Sequence, residues 1–221
     1  MINKLLFHRV FITVTLWAML LSLTACQGAE RAKEPGFPST EYVSSMDLFR
    51  LYIPTGWITA EDIPGAELIM ANSEAALDNY RNGNIPGSGE LVLNVGFLPL
   101  ALFQEDKLAH LGIQFDAPPD VFLQSILPMF RAGDKPAGSL VREARLISLG
   151  DGLDAGMLTL SDEGREGLIL MRTATKNVYA FISAEAYPGE LQEFQEIAYE
   201  VAAGVTYTGS QDALYSILYG D

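Results

Sequence analysis

Residues with strong chemistry are scarce in this chain of 221 residues: it has one cysteine, Cys26, and two histidines, His8 and His110. A serine nucleophile needs a base held against its hydroxyl. Beyond the apolar leader that precedes Cys26, His110 is the one imidazole left, in Asp106-Lys107-Leu108-Ala109-His110-Leu111, and no Gly-x-Ser-x-Gly turn stands near a strand end. His110 is therefore assigned to a loop or to the surface. One histidine and one cysteine cannot compose the Cys/His sets that hold zinc. Oxygen ligands for a hard cation could come from Asp151 and Asp154 in one turn and from Asp162, Glu163 and Glu166 in another, but neither turn has the spacing of an EF-hand loop. Acids of this kind ordinarily sit on solvated hairpins. Gly87-Ser88-Gly89 lacks the lysine and helix of a phosphate-binding loop. Asn72, Ser73 and Asn82 lie in polar loops between apolar strands, where a ligand or water can be held. The expectation is a chain with no catalytic constellation, no bound metal and no cofactor.

Cys26 has a context of its own. Lys4 and Arg9 precede an apolar run over residues 10–21, and Leu23-Thr24-Ala25 leads directly into the cysteine. A charged start, a short apolar stretch and a small-residue cleavage site form an export signal. The run falls short of the roughly 20 apolar residues that cross a bilayer. A single thiol in an exported chain has no internal disulfide partner, so it is free for another use. Leu23-Thr24-Ala25-Cys26 resembles the lipobox of bacterial lipoproteins. That resemblance implies a diacylglyceryl group on the Cys26 thiol, removal of residues 1–25 and acylation of the new amino terminus. Acyl chains each add about 0.8 kcal/mol per buried CH₂, enough together to hold a protein on a membrane.

Charge narrows the partners. The chain stands at −14, and loss of Lys4 and Arg9 leaves 12 bases against 28 acids, a net −16. Nucleic acid is excluded as a partner, since no basic patch remains to meet phosphates. The surface acids keep such a chain soluble.

The elements that must position any site follow from periodicity and turn residues. Residues 26–45, polar with Pro35, Gly36 and Pro38, are expected to form a flexible tether. The remaining 46–221 are sized for one domain. Strands are expected at 48–53, 67–71 and 90–98, with a helical turn from Ser73 and a loop over 82–89. Pro118-Pro119 opens a helix whose apolar face is Val121, Phe122, Ile126, Met129 and Phe130, with Pro128 as its kink or end. A meander over 140–149, 154–161, 167–174 and 178–184 is broken by turns short enough for antiparallel hairpins. An amphipathic helix follows Pro188-Gly189-Glu190, carries Leu191, Phe194, Ile197, Ala198 and Val201 on one side and stops near Gly204; another spans 211–219. Strands in a run, bracketed by helices, make an α+β fold, an antiparallel β-sheet flanked by helices.

The strand and turn Phe49-Arg50-Leu51-Tyr52-Ile53-Pro54-Thr55-Gly56-Trp57, with the closing strand Val178-Tyr179-Ala180-Phe181-Ile182-Ser183-Ala184, then Pro188 and an amphipathic helix ending near Val205, resembles the PsbP-like family over residues 46–207. The resemblance implies an α/β/α sandwich, with Trp57 packed beneath the sheet edge rather than stacked on a ligand. It also implies a non-enzymatic binding or accessory role, as in that family's photosystem subunits and envelope lipoproteins. Two functions are carried forward. One is an extracytoplasmic lipoprotein, anchored through Cys26 to the cell membrane, or to an outer membrane where the cell has one, and serving an unassigned protein or small-molecule partner. The other is an envelope hydrolase working through acids such as Asp151 or Glu163 without histidine.

Overall fold

A computed structural model describes residues 34–99, 118–126, 131–132, 135–136, 140–162 and 165–220. The chain divides into two units at Arg31, and the fold is that of the second, from Ala32 onward. Cys26 and its flanking leader, His110, Pro128, Met129, Phe130 and Glu163 lie outside the described residues.

The fold is α+β, as expected, and its main sheet is antiparallel and seven-stranded. Its strands are β3 (Ile58–Ile63), β4 (Glu67–Ala71), β5 (Leu91–Pro99), β8 (Val141–Gly150), β9 (Leu153–Asp162), β10 (Arg165–Thr175) and β11 (Val178–Ala186), in the spatial order β3-β4-β5-β11-β10-β9-β8. Between β5 and β8, the two-residue strands β6 (Arg131–Ala132) and β7 (Lys135–Pro136) pair with each other. Glycines at positive φ close the meander's first turn, Gly150 at 87° and Gly152 at 76°, with Asp151 at 53° between them. A left-handed backbone there lets the strands twist together instead of splaying.

Side-chain alternation sets the layers. Leu91, Leu93, Val95 and Phe97 of β5 and Val178, Ala180, Ile182 and Ala184 of β11 share the principal core. Against that face pack α3 (Leu191–Gly204), which contributes Ala198, Val201 and Ala202, and α4 (Gln211–Tyr219), which contributes Leu214. The opposite face carries two smaller cores. Ile69, Ala71 and Val92 meet Ala76 and Leu77 of α1 (Glu74–Arg81), and Leu158, Met171 and Tyr179 meet Phe122 and Leu123 of α2 (Pro119–Ile126). Fully burying each of the larger side chains among them, the valines, leucines, isoleucines and phenylalanines, stabilises by about 1.5–3 kcal/mol before entropy is counted. The α/β/α layering follows from these two buried faces.

Two expectations are corrected, and two features are added to them. The segment 26–45 is not all tether: β1 (Ser39–Val43) pairs antiparallel with β2 (Phe49–Pro54), and Tyr42 packs 6.1 Å from Phe49. Its polar composition hides an edge strand, pinned by Ser44 Oγ, which accepts from the amides of Leu48 at 2.9 Å and Phe49 at 3.2 Å. β2 also leaves the main sheet and forms a three-stranded sheet with β1 and β12 (Thr206–Tyr207). β3 was not foreseen, although Pro64-Gly65 marks its hairpin: Gly65 takes φ 75° and the Ala66 amide donates to Ile63 at 3.0 Å. Finally, Val121 faces outward, 47% exposed, while Phe122 and Leu123 are the buried pair of α2. The helix rests its first turn directly on Gly156, where a Cβ would stand 2.5 Å from the Asp120 backbone, and that seating fixes which side turns inward.

Candidate functional site

The polar residues singled out in the sequence are absorbed by the fold. Asn72 spans the β4–α1 loop and β5: its Nδ2 donates to Gly89 at 2.8 Å and its Oδ1 accepts from the Leu91 amide at 3.0 Å. Ser73 caps α1 by accepting from the Ala76 amide at 3.0 Å, and Asn82 ends it by donating to the Asp78 carbonyl at 2.8 Å. Ser88 donates to Glu190, which also accepts from the Gly89 amide at 2.7 Å; these donors hold the Glu190 carboxyl below its ordinary pKa. Trp57 is half-buried and packs on the principal core, as a structural tryptophan does.

The acidic turns do not converge. Asp151 and Asp154 lie exposed where β8 meets β9, whereas Asp162 and Glu166 lie by the β9–β10 turn, at the other end of a ten-residue strand. At ~3.3 Å per residue the two turns are about 30 Å apart. Among the described residues no three His, Cys, Asp or Glu side chains are grouped to hold a metal ion.

A different place on the sheet has the shape of a site. β4 begins at Glu67 opposite Gly96, while β5 continues to Pro99 with, among the described residues, β11 alone beside it. On the β11 side Gly96 stands opposite Phe181, so one row across three strands runs Glu67, Gly96, Phe181. The middle member has no side chain. Among the described residues no atom lies within 4 Å of where a Cβ on Gly96 would stand. Beside this gap, where β5 runs on past β4, lies a recess of about 230 Å³ lined from both faces of the sheet, by Glu67, Leu98 and Phe181 on the Gly96 side and by Ile63, Ala66, Phe97, Leu218 and Tyr219 on the other. Phe97 turns its ring into the principal core, 4.8 Å from Phe49 and 5.0 Å from Tyr207, and Tyr219, 56% exposed, stands at the rim of the recess.

Glu67 is held in place. Asn94, on the same face of β5, donates Nδ2 to Glu67 Oε1 at 2.5 Å and approaches Tyr80 Oη of α1 at 3.3 Å. Burial raises the Tyr80 pKa, the Asn94 contact lowers it, and the charges of Glu185, Glu67 and Asp62 raise it further. Glu185, on the β11 row diagonal to Asn94, is itself pushed above the usual carboxylate range by burial, with Arg165 pulling the other way. The local field is negative. A carboxylate beside apolar and aromatic walls can bind and orient a cationic group.

Neither Gly96 nor Glu67 was identified from sequence. An isolated glycine inside the strand pattern 90–98 is the available signal, since such a glycine marks a bulge or a close approach.

Comparison with known proteins gives fold-level likenesses only. No protein-family model matches the chain, and no curated protein matches it. The solution structure of cyanobacterial PsbP from Synechocystis sp. PCC 6803 is similar at a TM-score of 0.46 and 16% identity, over 83% of this chain and 97% of that one. LpqN, involved in cell envelope biogenesis of Mycobacterium tuberculosis, is similar at a TM-score of 0.31 and 15% identity, over 77% of this chain and 91% of that one. Among the described residues no helix is long and apolar enough to cross a membrane.

Proposed function

We propose that the chain is an extracytoplasmic lipoprotein whose domain is a non-enzymatic binding or accessory module, held at a membrane by a lipid on Cys26, with the recess over Gly96 as its binding site. The observation that carries this reading is the position of the sole cysteine directly after Leu23-Thr24-Ala25, ahead of a domain whose first strand begins at Ser39. Roughly a dozen intervening residues, at ~3.3 Å each when extended, give the domain up to about 40 Å of reach from its anchor. A tether of that length suits a module that meets ligands or partners near the membrane surface. The net charge of −14 supports a domain kept off anionic lipid headgroups.

The mass of the amino-terminal peptide of the purified chain tests the anchor. The expected peptide begins at Cys26 and carries a diacylglyceryl group, with or without an added acyl chain. An unmodified peptide that still contains residues before Cys26 would contradict the proposal.

A further inference from the structure

We propose that the recess over Gly96 binds a small alkylated ammonium ion, with the Glu67 carboxylate as its counter-charge and Phe181 and Tyr219 as its aromatic walls. The inference rests on the reading of this recess as a binding site and names the ligand class it takes.

Three features select that chemistry. Each alkyl group on an ammonium replaces a hydrogen-bond donor, and a quaternary ammonium has none, so aromatic faces together with a nearby carboxylate are its usual complement. The recess supplies both, since Phe181, on the same row as Glu67, and Tyr219 at the rim are aromatic and its one carboxylate is Glu67. Second, Glu67 is half-buried and its Oε1 is fixed by Asn94 at 2.5 Å, so the charge is oriented before any ligand arrives. Preorganisation of this kind reduces the ordering cost of binding. Third, the volume of about 230 Å³ lies below the roughly 300–1,000 Å³ of sites for drug-sized ligands, which fits a small cation and excludes a folded peptide. The surroundings favour the same sign of charge: Asp62 and Glu185 join Glu67 in acting on Tyr80, and the whole chain is strongly acidic.

Gly96 gives a clean way to close the site. It lies within a regular strand and a side chain there meets open space, so Gly96→Val should fill the recess with a residue that strands favour. Glu67→Gln removes the charge and leaves an amide oxygen for Asn94.

The test is a ligand-observed NMR titration of the purified full-length chain with three probes of one shape: choline, the alcohol in which carbon replaces nitrogen, and the tert-butyl carboxylate of similar length. Choline is expected to bind saturably and at least tenfold more tightly than the alcohol, with the carboxylate weakest. Glu67→Gln should weaken choline at least tenfold, and Gly96→Val should abolish its binding, while both variants keep the circular dichroism spectrum of the parent. If the alcohol binds as tightly as choline, or Glu67→Gln changes nothing, the ammonium assignment is overturned while the recess stands as a binding site. If none of the three saturates, both the assignment and the reading of the recess fail.

Discussion

The Nε of Arg172 donates to the carbonyl of Ala202 at 2.7 Å, joining the middle of β10 to the last turn of α3. The same guanidinium donates to the carbonyls of Thr173, at 3.1 Å, and Val205, and only 6% of the residue is exposed. A helix leaves its last carbonyls without intrahelical donors, and the end of its dipole is negative, so a buried cation there meets both needs. Arg172 thus does for α3 what a left-handed glycine does for many helices. Gly204 belongs to the helix, and Val205 caps it in an extended conformation.

Arg172→Met should therefore lower unfolding stability by about 2–4 kcal/mol, because buried carbonyls lose their donors while the aliphatic volume is kept. Urea denaturation followed by circular dichroism measures it. A loss below about 0.5 kcal/mol would show that α3 is terminated without the arginine.

The seating of α2 gives a second expectation. A methyl group on Gly156 would meet the Pro119–Asp120 backbone, which cannot swing aside as a side chain can. Gly156→Ala should cost about 1–3 kcal/mol as the helix is pushed off the sheet. Amide exchange over residues 119–126 should accelerate in the variant; unchanged protection there would contradict the close approach.

Glu185 supplies a pH dependence with a definite sign. Burial raises its pKa in the folded chain above the unfolded value. Its contribution to stability is then fully present below the unfolded pKa and is lost as pH rises through the folded one. At neutral pH the buried charge opposes folding, so Glu185→Gln should be the more stable protein there. The advantage should shrink as the parent is acidified through the carboxylate range. A variant less stable than the parent at neutral pH would mean that the Arg165 attraction outweighs burial.

The edge strand β1 predicts where truncation becomes harmful. Removing residues up to Lys33 leaves β1 and its Tyr42–Phe49 packing intact, whereas removal through Val43 strips them away. The longer deletion should lower stability by about 2 kcal/mol or more, from lost apolar burial and strand pairing. Equal melting temperatures for the two truncations would contradict the pairing of β1 with β2.

What the sequence disclosed follows the strength of local patterns. The meander was legible because Gly150-Asp151-Gly152 and Thr175-Lys176-Asn177 punctuate long alternating runs, and the ends of α3 and α4 lay close to where periodicity put them. β1 and β3 were hidden because each is a short edge strand, Ser39–Val43 and Ile58–Ile63, in which polar residues break any apolar alternation. The inward pair Phe122 and Leu123 was set by the contact with Gly156, which no local pattern encodes. The candidate site was not legible at all. Glu67, Gly96 and Phe181 become neighbours only through the registers of β4, β5 and β11, and nothing local in the sequence ties them together.

Metabolic labelling with palmitate reads out the proposed lipid on Cys26 itself. The parent chain should take up label and sediment with membranes, and Cys26→Ser should take up none and be released or left with its leader attached. Undiminished labelling of Cys26→Ser would contradict the account.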